Sequence, residues 1–92
     1  MDIGNHCIIN TRVSVDTDSN VSEVVYVSPH ATLCGNVIVG EGTWIGAGAT
    51  IFPGVSIGKW CLVGAGAVIA KNVPDNAVIA GNNGRIIRYN DI

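Results

Sequence analysis

A six-residue period runs through this chain and dictates most of what it can fold into. Counted in sixes from Ile3, the first position of each block reads Ile3, Ile9, Val15, Val21, Val27, Leu33, Val39, Ile45, Ile51, Ile57, Val63 and Ile69, aliphatic throughout. The fifth positions, from Cys7, Val13 and Ser19 to Ala67 and Val73, are all small. Second positions favour Gly, Asn, Asp and Ser. Fourth positions include Asn36, Gly42, Gly48, Gly54, Gly66 and Asn72, residues that accept a positive φ in tight turns.

A period of six is too short for a helical repeat and does not fit a 3.6-residue turn. It fits a short strand and a sharp turn, repeated, with positions one and five pointing inward. A small residue at position five lets each corner close without colliding with the interior. Three six-residue faces close a triangular coil of 18 residues, so the twelve blocks over 3–74 make four coils without an insertion. Stacked at the ~4.8 Å strand spacing, the coils form a prism about 19 Å tall. Residues such as Ile3, Val21, Val39 and Ile57 then stand in vertical columns. The expectation is one all-β domain, a parallel solenoid over residues 3–74 with a C-terminal strand, turn and capping segment over 75–92.

Composition agrees with thin strands rather than a bulky core. Ile, Val and Leu supply 27 of the 92 residues, and Phe, Trp and Tyr only five. The chain is too apolar and too weakly charged for disorder, and no apolar run approaches the ~18 residues of a membrane span. The first six residues have neither the basic nor the apolar region of a secretory leader, so a cytoplasmic protein is expected. A net charge of −2 argues against nucleic acid or an anionic membrane as partner. Cys7, Cys34 and Cys61 form no C-x-x-C pair and read as small apolar residues in a reducing compartment. The two histidines, His6 and His30, fall short of the three-histidine set that a zinc enzyme on such a solenoid needs, so no metal is expected.

The segments V-G-E-G-T-W-I-G-A-G-A-T (39–50) and I-G-K-W-C-L-V-G-A-G-A-V (57–68) resemble the hexapeptide-repeat acyltransferases. The resemblance implies a left-handed β-helix, a hand that periodicity alone does not give. More narrowly, I-I-N-T-R-V-S-V-D-T-D-S (8–19), V-S-P-H-A-T-L-C-G-N-V (27–37) and N-V-P-D-N-A-V-I-A-G-N (72–82) resemble the sialic acid O-acetyltransferase group. That group includes N-acetyltransferases of nucleotide-linked amino-sugars. The match spans this chain but only the C-terminal half of those enzymes, without their N-terminal nucleotide-sugar domain.

Residues 18 apart sit above one another, which makes the outer surface legible as stripes. One stripe, Ile8, Tyr26, Trp44 and Leu62, is apolar throughout. A continuous exposed apolar line signals an interface, and the expectation is a homotrimer packed along it, as the resemblance also implies. The alternative is that the C-terminal segment lies over the stripe. Another column, Thr11, Pro29, Ala47 and Ala65, forms a groove wall with little side chain.

By resemblance, acetyl-CoA would lie along this groove, with its pantetheine arm at Ala47 and Ala65, and Arg85 with Arg88 would face its phosphates. Gly35 would place a backbone N–H near the thioester oxygen, an oxyanion-type role. The family's base is a histidine between two acidic residues; here Thr17 stands in its place, flanked by Asp16 and Asp18. A second family histidine, near the acetyl carbonyl, aligns with Tyr26, and Asn10 is retained. A threonine hydroxyl is no base at neutral pH. His30, directly above Arg12 in its column, is either a turn residue or a displaced base.

Beyond the solenoid, Ala77–Ala80 reads as one more strand, 81–84 as a turn, and Arg85–Tyr89 as a cover for the last coil. The opposite end, at Ile3, begins uncovered and is expected to be a docking edge. Two functions follow: an acetyl-CoA-dependent acetyltransferase acting on a sugar-type hydroxyl or amine with its base replaced, or a non-catalytic trimeric scaffold that binds CoA or another small ligand.

Overall fold

The computed structural model describes residues 2–16, 18–82 and 84–90. The repeat resolves into two-residue strands, each made of one block's sixth position and the next block's first. The sixth residue points out and the first points in.

In chain order the strands are β1 (Asp2–Ile3), β2 (Ile8–Ile9), β3 (Ser14–Val15), β4 (Asn20–Val21), β5 (Tyr26–Val27), β6 (Thr32–Leu33) and β7 (Ile38–Val39). They continue with β8 (Trp44–Ile45), β9 (Thr50–Ile51), β10 (Ser56–Ile57), β11 (Leu62–Val63), β12 (Val68–Ile69), β13 (Ala77–Ala80) and β14 (Arg85–Tyr89). They stack into three faces: face A in the order β1-β4-β7-β10, face C in the order β3-β6-β9-β12, and face B in the order β2-β5-β8-β11-β13-β14. Every pairing from β1 to β13 is parallel and in the 18-residue register, except that β13 meets β11 sixteen residues on, at Leu62↔Val78. The architecture is a left-handed parallel β-helix of about four coils.

The core is made of the predicted columns. Val21, Val39 and Ile57 line face A, Val27, Ile45, Val63 and Ile79 face B, and Leu33, Ile51 and Ile69 face C, all buried. Each such side chain is stabilising by ~1.5–3 kcal/mol relative to exposure. The first coil is less covered: Ile3 is 41% exposed, and Ile9 and Val15 are half-buried.

Buried polar groups at position five are satisfied by a recurring arrangement. Ser19 Oγ donates to the Cys34 carbonyl at 2.7 Å and accepts the Val37 N–H at 3.1 Å. Thr43 Oγ1 repeats this with Gly58 and Cys61, at the same distances. Such groups cost little when fully paired.

Closure of the coil fixes the turn conformation more firmly than the residue type does. Every fourth position from His6 to Gly66 has a positive φ, including Arg12, Asp18, Val24, His30 and Trp60 as well as the glycines. Val24, at φ 59, is a β-branched residue in a region that disfavours it. Asn72, expected to behave likewise, does not. The chain leaves register there, and the Asn72 carboxamide oxygen instead accepts the Ser56 N–H at 2.8 Å. Face A accordingly ends in a single bridge, Ile57↔Val73.

The second-position glycines answer to a different constraint, close approach. A Cβ on Gly46 would lie 2.6 Å from the Ala65 nitrogen and the Val63 oxygen, both in the next coil.

The C-terminal segment departs from the expected cover. β13 adds a strand to face B, and β14 then turns back to pair antiparallel with β13, with a register shift at Val78/Ile79. All five β14 residues are exposed. The segment therefore extends one face edge-on, because β14 returns beside β13 rather than across the coil. Nor does it lie over the apolar stripe, where Ile8 is 54%, Trp44 51% and Leu62 36% exposed.

Candidate functional site

The predicted site residues divide between two corners of the prism. The corner between faces B and C carries the column Thr11, Pro29, Ala47 and Ala65, with Arg12, His30, Gly48 and Gly66 beside it. Ala47 and Ala65 are exposed, and their carbonyl-side geometry is fixed by the coil: the Gly48 N–H bonds to the Pro29 oxygen at 3.0 Å and the Gly66 N–H to the Ala47 oxygen at 2.8 Å. A Cβ on Gly48 or Gly66 would meet nothing within 4 Å, so the backbone there opens directly to its surroundings. This is a wall on which an extended ligand arm can lie close to the main chain.

Asn10 and Tyr26 stand at the lower end of this wall, on face B. The Asn10 Nδ2 group donates to the Tyr26 hydroxyl at 3.0 Å, and the Thr11 N–H donates to Asn10 Oδ1 at 2.7 Å. The Tyr26 and Trp44 rings lie 4.6 Å apart at 34°, and Trp44 Nε1 donates to the Ser28 hydroxyl at 3.3 Å. The columns alone did not mark Ser28, because the contact is diagonal: a sixth-position side chain reaches the second position one coil below. His30 occupies a turn at φ 65 and is exposed. Arg85 lies at the other end of the wall, on β14 opposite Ala80, whose Cβ sits over Gly64.

The corner between faces C and A holds the remaining residues. Asp18 takes a left-handed turn at φ 66, and Gly35 is half-buried with its carbonyl accepting the Gly54 N–H at 2.9 Å. Asp16 lines an open cleft of about 460 Å³ together with Ser14, Thr32 and Cys34. Thr17 lies outside the described residues. Within one chain, face C separates this corner from the Ala47/Ala65 wall, so a single copy does not bring the two groups together.

A second cavity, of about 300 Å³, lies at the corner between faces A and B against Gly4, Ser22, Glu23, Glu41 and Lys59. It contains none of the predicted site residues. The cysteines are free thiols. Cys61 is buried and donates to the Pro74 carbonyl at 3.1 Å, and burial pushes its thiol pKa up from the ordinary value. Among the described residues, no three His, Cys, Asp or Glu side chains converge as a metal site would require.

Comparisons with known proteins agree with this architecture. The family described as bacterial transferase hexapeptide (six repeats) matches residues 36–71. A sequence comparison with curated proteins finds no match. Among solved structures, a variant of perosamine N-acetyltransferase from Caulobacter crescentus, in complex with CoA and GDP-perosamine, superposes with a TM-score of 0.90 at 39% identity. The match covers 91% of this chain and 40% of that one. The acetyltransferase domain of PglB from Neisseria gonorrhoeae, in complex with acetyl coenzyme A, gives 0.87 at 38% identity over 88% of this chain and 40% of that one. A serine acetyltransferase in complex with CoA gives 0.90 at 34% identity over 94% of this chain and 38% of that one. This chain thus spans about two fifths of the length of each. With the six-residue repeat, the triangular coils and these likenesses together, the chain belongs to the hexapeptide-repeat acyltransferase family.

Proposed function

We propose that this chain is the β-helix of an acetyl-CoA-dependent acetyltransferase acting on a sugar-type hydroxyl or amine, in the manner of the sialic acid O-acetyltransferase group. The observation that carries the reading is the exposed Ala47/Ala65 wall, on a β-helix shared with relatives 34–39% identical to it whose structures are complexes with CoA or acetyl coenzyme A. Ala47 and Ala65 receive the pantetheine arm, Arg85 faces the phosphates, and Asn10 and Tyr26 sit at the reactive end. GDP-perosamine, the sugar nucleotide held with CoA by the Caulobacter enzyme, supports a sugar-type acceptor.

The reactive centre forms between copies. Side-by-side packing of three copies along the Ile8, Tyr26, Trp44 and Leu62 stripe, exposed at all but the half-buried Tyr26, sets the Ala47/Ala65 wall of one copy against the Asp16/Gly35 corner of the next. A heterologous contact whose rotation closes gives such a ring. Acetyl-CoA is a cytoplasmic co-substrate, which fits a cytoplasmic location.

The Thr17 position favours a second reading, a CoA-binding scaffold without turnover. A threonine hydroxyl at position 17 supplies no base at neutral pH. His30, exposed at the wall, is the imidazole available to a displaced mechanism. In the Caulobacter relative, histidine-to-asparagine and histidine-to-alanine variants both hold CoA and GDP-perosamine, so binding there survives loss of a histidine.

Calorimetric titration with acetyl-CoA, followed by thiol release in the presence of amino-sugar nucleotides, separates the readings. Binding with thiol release supports the enzyme, and binding without release supports the scaffold. Absence of binding overturns both. A monomer in sedimentation at micromolar concentration would overturn the inter-copy centre.

A further inference from the structure

The register shift in β14 gathers its two arginines on one side of the strand. In a regular strand, residues three apart point to opposite sides. Here Ile87 is an extra residue: Val78 pairs with Arg88, while its neighbour Ile79 pairs with Ile86. Residues opposite one another in a sheet share a side. Arg88 therefore lies on the side of Val78, which is level with the outward-pointing Leu62, and Arg85, opposite Ala80, lies there too. Ile86 and Tyr89, opposite Ile79 and Ala77, take the other side.

β14 is the last strand of face B and pairs only with β13, so among the described residues no strand lies along its second edge. The edge is held in place. The Asn90 N–H donates to the Asn76 carbonyl at 2.6 Å, and Asn90 Nδ2 to the Trp60 carbonyl at 3.4 Å. Ile87 and Tyr89 are each 59% exposed and Ile86 38%. An open edge of this kind is a template for another strand, and its charges decide which strand it accepts. Arg85 and Arg88 are two of the five cations in a chain of net charge −2, and β13 sets no carboxylate opposite either. A second copy of β14 would bring arginine against arginine, which is destabilising. A strand that alternates carboxylates with apolar residues does the reverse, placing its acids beside Arg85 and Arg88 and its apolar side chains beside Ile86 and Tyr89. We propose that the free edge of β14 takes up an acidic, extended segment of a partner protein as one further strand of face B. The main-chain groups of the edge supply the pairing, and the arginines select the sign of the partner. This docking surface does not depend on the acetyl-CoA reading.

Three short capped peptides test the proposal on the full chain without CoA: glutamate alternating with valine, lysine alternating with valine, and glutamate alternating with proline. The third keeps the acidic charge but lacks half of the N–H donors a strand needs. Fluorescence anisotropy of labelled peptide reads binding, and amide hydrogen exchange of the protein locates it. The glutamate–valine peptide should bind and slow exchange across β14, and the other two should bind at least about tenfold more weakly. Arg88→Glu should weaken the glutamate–valine peptide by about tenfold and strengthen the lysine–valine peptide, a swap that a merely unfolded variant would not give. Thermal melts establish that the variant is folded, and the exchange measurement on the wild-type protein stands without it. Equal binding of the proline peptide would mean charge attraction without strand pairing and overturns the proposal. So does absence of binding, or protection that falls outside β14. Protection of β14 that grows with protein concentration in the absence of peptide would make a second copy the occupant, and overturns it as well.

Discussion

The Thr43 hydroxyl donates to the Gly58 carbonyl oxygen, 2.7 Å away in the next coil. It also receives the Cys61 N–H at 3.1 Å, so one buried side chain satisfies two main-chain groups. Thr43→Val keeps the shape and removes both bonds. The expected loss is ~1–3 kcal/mol in urea denaturation, the cost of leaving buried polar groups unpaired. Thr43→Ser should retain most of the stability.

Two glycines two residues apart should respond differently to alanine. A Cβ at Gly46 meets backbone atoms at 2.6 Å, whereas at Gly48 it meets nothing but sits on a φ of +70. Gly46→Ala must push two coils apart and should cost about 2–3 kcal/mol. Gly48→Ala should cost only the left-handed penalty of about 1–2 kcal/mol. Equal losses in paired chemical melts would show that coil spacing is not what selects Gly46.

Val24 is 49% exposed at a φ of 59. Replacing it with Asn relieves the clash of a β-branched side chain in this region and should raise stability by about 1 kcal/mol, or several degrees in Tm. A fall in Tm would mean that the exposed valine packs against another copy.

The Cys61 thiol is held in its neutral form by burial, with its pKa raised. The folded state therefore keeps its proton at a pH where the unfolded chain has begun to lose it. Stability from this group is fully present below the ordinary thiol value of 9.0 and declines as pH rises above it. Melts between pH 7 and pH 10 should show a loss that Cys61→Ala removes. Thiol-labelling reagents should modify the half-buried Cys7 and Cys34 before Cys61.

Blocking the wall tests the cofactor path without touching the core. Ala65→Gln places a side chain on an exposed corner, so stability should change by no more than ~0.5 kcal/mol. The dissociation constant for acetyl-CoA should rise at least about tenfold, a difference of ~1.4 kcal/mol read by calorimetry. Unchanged affinity would move the ligand off this corner.

The columns were legible in the residues because an uninterrupted 18-residue coil converts sequence distance directly into height. That is why Ile45 above Val27, and Trp44 above Tyr26, follow from counting alone. Counting gives only vertical neighbours, however. The reach of Trp44 down to Ser28 is diagonal and depends on side-chain length. The reversal of β14 alongside β13 is set by a chain return that no column encodes. The division of the site between two corners was implicit in the register. It became plain only when face C stood between Ala47 and Gly35.

The left-handed turns have a consequence for how such a chain can change. His6, Arg12, Asp18, Val24, His30, Asn36 and Trp60 all adopt the same backbone shape at fourth positions because the coil imposes it. A corner that enforces its own geometry no longer vets its occupant, apart from a strain of about 1–2 kcal/mol. Cation, carboxylate, imidazole and indole can therefore be exchanged there while the scaffold stays unaltered. A lineage can lose an imidazole at one corner and acquire another elsewhere along the same ridges, with chemistry drifting over a frame that does not move.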